Sequence, residues 1–239
     1  MSRLSVPLAL VCGLVFVSAT QAASLQVSPV SLDLTAPART ASLTLRNESD
    51  SPSNIQIRVF KWTQANGADQ LTPATDVVVS PPATQVQPGK AYTIRVAHTD
   101  TPVQKIEESY RLLIDELPEV NVHRRRTSVD LITRYSIPVF FSDRSASADV
   151  SWSVQRKGKN LVVEATNNGK RHAKLANLAV AAAGKPVSFG AGLNGYVLPG
   201  STMRWTAAAG PVNAGSHVTI TAKGDDYAVN QTAVVSAGR

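Results

Sequence analysis

The sequence predicts an all-β protein built as two antiparallel β-sandwich domains in tandem. Three observations predict it. Segments rich in Val, Ile, Leu and Thr alternate apolar and polar residues with period two, the signature of half-buried strands. Gly, Pro and Asn turn signals separate these segments at short, regular spacing, as in a sandwich. Beyond the N-terminal segment, no stretch reads as a long amphipathic helix.

Taken in order, the chain opens on a targeting segment. Arg3 supplies a positive charge, residues 8–17 form an apolar run, and residues 18–23 offer small side chains to a signal peptidase. The run is far shorter than the roughly 20 residues a membrane span needs, and its flanks are those of an export signal. Residues 1–22 are therefore expected to be removed, with the mature chain starting near Ala23, exported and soluble, with no membrane insertion. The only cysteine, Cys12, lies in that segment. A mature chain without cysteine has no disulfides, no thiolate metal site and no cysteine nucleophile, so each domain must be held by its core.

Strands are expected at 41–45, 55–62, 77–79, 92–96, 110–114 and 129–141. Between them stand turn signals at 47–52, 66–69, Pro81-Pro82 and Pro88-Gly89. The polar, small-residue stretch 142–148 suits a linker, and divides the chain into domains at 23–142 and 143–239. Strand patterns resume at 150–154, 160–165, 175–180, 203–205, 217–221 and 231–235, with turns at 156–159, 167–170 and 198–201. The second domain is the poorer in large apolar residues.

Lys and Arg number 24 against 17 Asp and Glu, a formal charge of +7. Apart from Arg124-Arg125-Arg126 the cations are scattered, and an exported protein seldom meets nucleic acid. An acidic or carboxylate-bearing partner is the more economical use of the charge. His98, His123, His172 and His217 lack the spacing of a zinc pair and have no acidic cluster beside them in sequence, so they read as surface or hydrogen-bonded histidines. There is no G-x-S-x-G elbow. The pairs Glu107-Glu108 and Asp225-Asp226 are sequence neighbours, which on a strand face opposite sides. No enzyme, metal site or cofactor is expected.

Ser80-Pro81-Pro82, Pro88-Gly89 and Arg95-Val96 are spaced as P-P-x-x-x-x-x-P-G-x-x-x-x-x-R-V, which resembles the P-P-x-x-x-x-x-P-G-x-x-x-x-x-R-V/L block of the periplasmic pilus chaperones of the chaperone–usher pathway. Glu108-Ser109-Tyr110-Arg111 with Glu116-Leu117-Pro118 is similar to that family's F1 strand, and 131–140 stands where its G1 strand does. Gly195 to Ser201 and Asp225-Asp226-Tyr227 also fit. The order of the blocks covers nearly the whole mature chain, and Ser136-Ile137-Pro138-Val139-Phe140 is most similar to the archaic, Csu-like branch.

The resemblance implies two immunoglobulin-like domains in a boomerang, a periplasmic location and a non-enzymatic role. The G1 strand would complete a pilus subunit that lacks its last strand, and the complex would be delivered to an outer-membrane usher. The donor residues would be Val129, Leu131, Thr133 and Tyr135, which alternate on one face of the strand. The family holds the subunit's C-terminal carboxylate with two cations, one on the first strand and one on G1. Here the first strand has none, and Ser136 stands at the G1 position. Arg111 is the first candidate for the anchor, Arg134 the second and Arg95 the third. The inter-domain hinge is expected at Glu107 or Glu108 and Asp226, with Arg144 replacing an arginine whose position aligns with Phe140. His123 to Arg126 would lie in a short F1–G1 loop, facing solvent, the usher or an acidic subunit. The exposed apolar edge would also permit self-association of the free form. A second reading of the same strands is a two-domain structural or adhesive pilus component.

Overall fold

The computed structural model describes residues 25–100, 105–118, 132–224 and 228–238. Residues 1–22, read above as an expected export signal, and Arg124-Arg125-Arg126, Val129, Leu131 and Asp226 lie outside them. All regular elements in the described residues are strands.

The first ten form one sandwich: β1 (Leu25–Ser28), β2 (Leu32–Thr35), β3 (Thr40–Asn47), β4 (Ser53–Ala65), β5 (Ala68–Pro73), β6 (Val77–Ser80), β7 (Ala83–Val86), β8 (Ala91–His98), β9 (Glu108–Leu117) and β10 (Arg134–Ser142). One sheet runs β1-β3-β8-β6, and the other runs β2-β10-β9-β4-β5 with β7 also on β4. The expected alternation decides which side chains meet between them. Leu43, Leu45, Ile55, Ile57, Ile94, Val96, Tyr110, Leu112, Ile114, Val139 and Phe141 form a buried core, each large side chain contributing about 1.5–3 kcal/mol.

The second sandwich comprises β11 (Val150–Lys157), β12 (Asn160–Asn167), β13 (Ala173–Ala182), β14 (Lys185–Ser188), β15 (Leu193–Val197), β16 (Thr202–Ala208), β17 (His217–Lys223), β18 (Ala228–Val234) and β19 (Ser236–Ala237). Its sheets run β16-β12-β11-β19 and β14-β13-β17-β18, with β15 also on β13. Its fully buried core residues are Val, Leu, Ile and Ala alone, as the composition of that half foreshadows.

The turn chemistry is repeated in the two halves. Asn47 and Asn167 each end a strand buried, and each uses its amide to hold the chain that follows. Asn47 Nδ2 donates to Ser51 O (2.7 Å) and Val86 O (2.9 Å), and Asn167 Nδ2 donates to Arg171 O (2.7 Å) and Val197 O (2.9 Å). Each Asn carbonyl accepts from the glycine of a Pro-Gly turn, Gly89 and Gly200 respectively. Both glycines have positive φ, 66° and 71°, where an L side chain would be strained. The Asn66-Gly67 turn is tighter than a loop. Both residues have positive φ, 56° and 77°, so β4 and β5 close as a two-residue hairpin.

Candidate functional site

The site is assembled on β9 and β10 and on the outer face of their sheet. β10 pairs antiparallel with β9 from Arg134 to Phe141, but β2 covers its other side only from Val139 to Ser142. From Arg134 to Pro138 the strand therefore has, among the described residues, one hydrogen-bonded neighbour and one open edge. The ladder continues one residue further, because Thr133 O accepts from Glu116 N at 3.0 Å. Tyr135, Ile137, Val139 and Phe141 point into the core, and Tyr135 Oη donates to Leu25 O. Thr133 shares this parity and is exposed.

The opposite parity faces outward. Arg134 is held by Asp115, with Nε 2.5 Å from Oδ1 and Nη2 3.1 Å from Oδ2. Arg58 adds a third bond to Oδ2 at 2.7 Å. The Arg134 bonds are the chief cause that holds the Asp115 carboxyl below the usual carboxylate range. Arg134 thus spends its fork on an internal carboxylate.

Arg111 differs. It lies on the same face, opposite Phe60 and Pro138 and about 13 Å along the strand from the Asp115–Arg134 pair. Its guanidinium carbon stands 3.6 Å from the centre of the Trp62 ring and 5.5 Å from that of Tyr196. Burial pushes its pKa below the ordinary guanidinium value, with Asp69 and Tyr196 opposing; an arginine stays charged regardless. Among the described residues it makes no ion pair. A half-buried cation stacked by one face, with its in-plane N–H donors uncommitted, is suited to a bidentate carboxylate. Arg95 is exposed on β8, between Ser42 and Ser80. It stands on the outer face of the other sheet, so the three candidate cations do not converge.

The contact between the sandwiches is built mostly from residues that sequence reasoning passed over. Trp62, Phe140, Tyr196 and Leu198 form their own buried cluster. Phe140 stacks on His172 at 3.7 Å and 15°. Glu107, its side chain fully buried, accepts from His172 N at 3.0 Å and lies 2.9 Å from His172 Nδ1. Because a carboxylate only accepts, Nδ1 carries the proton. Arg171 joins Asp33 across the same contact. Of the residues expected there, Glu107 is present and Asp226 lies outside the described residues. Arg144 is exposed and has no ion pair among the described residues. An aromatic–histidine stack occupies the place where an arginine was expected. The only local signal for it was an aromatic residue, Phe140, at a parity that alternation turns away from the core.

Glu108 belongs to a different cluster. Strand alternation turns it to the inner side, where Lys61 Nζ lies 2.8 Å from it, Tyr110 Oη 2.7 Å and His98 Nε2 3.2 Å. Desolvation raises its pKa, but hydrogen bonds from Lys61, Tyr110 and His98 outweigh it and bring Glu108 down to about 2. Asp76, His98 and Glu108 place three ligand-type atoms within 4.8 Å of one another. The Lys61 ammonium, 3.6 Å from Asp76, already supplies the positive charge a cation would bring.

Among the described residues, the molecule is thus two β-sandwiches joined by an aromatic contact, with a strand open along part of one edge and an arginine without an ion pair on the same face. The chain matches the family model of the pili and flagellar-assembly chaperone, PapD N-terminal domain, over residues 24–145, and belongs to that family. Its fold is shared by solved structures of such proteins. A chain of the CsuC–CsuE chaperone–tip adhesion subunit pre-assembly complex, from archaic chaperone–usher Csu pili of Acinetobacter baumannii, is 24% identical with a TM-score of 0.66, covering 91% of this chain and 100% of that one. The Pseudomonas aeruginosa CupB2 chaperone is 18% identical with a TM-score of 0.57, covering 87% of this chain and 100% of that one. A chain from the Salmonella enterica SafA pilin–SafB chaperone complex is 18% identical with a TM-score of 0.59, covering 90% and 98%. A search of curated protein sequences found no match.

Proposed function

We propose that this chain is a periplasmic chaperone that completes pilus subunits by donor-strand complementation and passes them to an outer-membrane usher. The open edge of β10 carries the reading. A subunit lacking its last strand exposes an apolar groove and unpaired backbone groups, both costly in water. Among the described residues, the edge of Arg134–Pro138 away from β9 is unpaired and offers backbone groups to such a groove, and Val129, Leu131, Thr133 and Tyr135, which alternate in sequence, are the row that would fill its pockets. At about 1.5–3 kcal/mol for each large apolar side chain buried, these anchors supply much of a tight complex without ATP and without a catalytic step. Arg111 grips the subunit's C-terminal carboxylate; Arg134 is tied to Asp115, and Arg95 lies on the other sheet. Residues 23–142 form the binding domain and 143–239 the second domain, joined through Glu107 and His172.

The test is co-expression with the subunits of a neighbouring pilus operon. The expected result is a soluble one-to-one complex that Leu131→Glu blocks and that Arg111→Ala abolishes while leaving the chaperone folded. Failure to bind any such subunit would overturn the reading. Undiminished binding by Arg111→Ala would remove the anchor from Arg111 alone.

A further inference from the structure

Arg111 stands between rings from both halves of the molecule. Trp62, from β4, lies beneath the guanidinium; Tyr196, from β15 of the second sandwich, meets Trp62 edge-on at 5.5 Å and 83° and lies within cation–π range of the arginine. What holds Tyr196 there is a side chain on β4. Gln64 Nε2 donates to Tyr196 O at 2.9 Å, and Gln64 Oε1 accepts from Leu198 N at 2.9 Å. The amide thus offers the donor and acceptor of a strand neighbour to the end of β15, fixing that backbone at two points. The second N–H of Gln64 holds Asp69 Oδ1 at 2.9 Å, and Asp69 is the acid whose charge acts on Arg111. One amide therefore holds the second sandwich beside the arginine and engages the internal carboxylate that would compete for it.

We propose that Gln64 and Tyr196 are positioning residues for Arg111, so that the second sandwich helps to orient the cation that binds a chain-terminal carboxylate. This rests on the reading that Arg111 is the anchor. A guanidinium stacked by its face keeps its N–H fork in one plane, which is the geometry a carboxylate needs for two parallel bonds. A point charge such as lysine has no plane to orient. This gives the proposal a readout that loss of folding alone would not produce.

The experiment is competition for one co-expressed pilus subunit, with its native C-terminus, between the wild-type chain and variants shown by thermal melting to be folded. Gln64→Ala and Tyr196→Ala should each weaken capture roughly 3- to 30-fold, the range of a cation–π contact and a misplaced hydrogen-bonding fork. In an Arg111→Lys background, which weakens capture by itself, Gln64→Ala should cause no further loss. Equal losses in the two backgrounds, or no loss from Gln64→Ala in the wild-type chain, would overturn the positioning role while leaving Arg111 as the anchor. Wild-type affinity for Arg111→Lys and Arg111→Ala alike would overturn both.

Discussion

Replacing His172 by Ala should loosen the contact between the sandwiches more than any single exposed ion pair could. The imidazole does two things. Its Nδ1–H meets the Glu107 carboxylate at 2.9 Å, and its ring stacks on Phe140 at 3.7 Å. With the ring gone, Glu107 keeps the His172 backbone N–H at 3.0 Å, the Ser109 hydroxyl at 3.4 Å and Arg171 Nε at 4.0 Å, but the carboxyl remains buried. Losing a hydrogen bond to a charged group costs about 1.5–3 kcal/mol. The surviving backbone bond places this case at the low end, and the lost stack adds about 0.5–1.5 kcal/mol. The expected loss is about 2–3 kcal/mol, read as a fall of about 1 M in the urea midpoint followed by tryptophan emission. Trp62 lies in the same aromatic cluster and reports the contact directly. The double variant Glu107→Ala/His172→Ala should lose at least about 1 kcal/mol less than the sum of the single losses, because the stranded charge is removed with its partner. A loss under about 1 kcal/mol for His172→Ala, or strict additivity in the double variant, would refute the reasoning.

Two further predictions concern each sandwich separately. Glu108 has its pKa lowered from 4.5 to about 2, so its contribution is fully present above pH 4.5 and is lost as pH falls through about 2. The shift corresponds to about 3 kcal/mol at 1.36 kcal/mol per unit, reduced to about 1–2 kcal/mol by the solvent that reaches the group. Glu108→Gln should flatten the pH dependence of the melting temperature between pH 5 and 2, and an unchanged slope would contradict the assignment. In the second sandwich, Asn167→Ala removes two donors to backbone carbonyls and the acceptor for Asp149 N and Gly169 N. At about 1–3 kcal/mol for each buried group left unpaired, partial hydration leaves a loss of about 3 kcal/mol. The emission of Trp152 and Trp205, both packed on that core, should report it.

Much of the fold was legible because strand physics is local. The alternation in 55–59 and 110–114 assigns core and outer faces correctly, since successive side chains must point to opposite sides. It likewise turns Arg111 outward. The Pro-Gly turns and Asn66-Gly67 were visible because only certain residues accept positive φ. The short strands β5, β7 and β14 were not visible, because they are largely exposed edge strands whose sequences carry no apolar period.

The site was legible only in part. Sequence pattern placed Arg111, Arg134 and Arg95 on outward faces but could not say which was committed. Asp115 claims Arg134 from the adjacent strand, and the two sheets separate Arg95 from the others; both facts depend on packing. Glu107 and Glu108 looked interchangeable as neighbours, yet one lies between the sandwiches and the other in a network with Lys61 and Tyr110. The sequence alone determined the fold class, the turns and the parity of the strand that opens at Arg134, because each follows from the conformational limits of a few adjacent residues. Only the tertiary structure decided that His172 and Phe140 close the contact between the sandwiches and that Trp62 and Tyr196 flank Arg111. Those residues are brought together from distant strands, and the free energy of their contacts depends on distance and desolvation that no local pattern encodes.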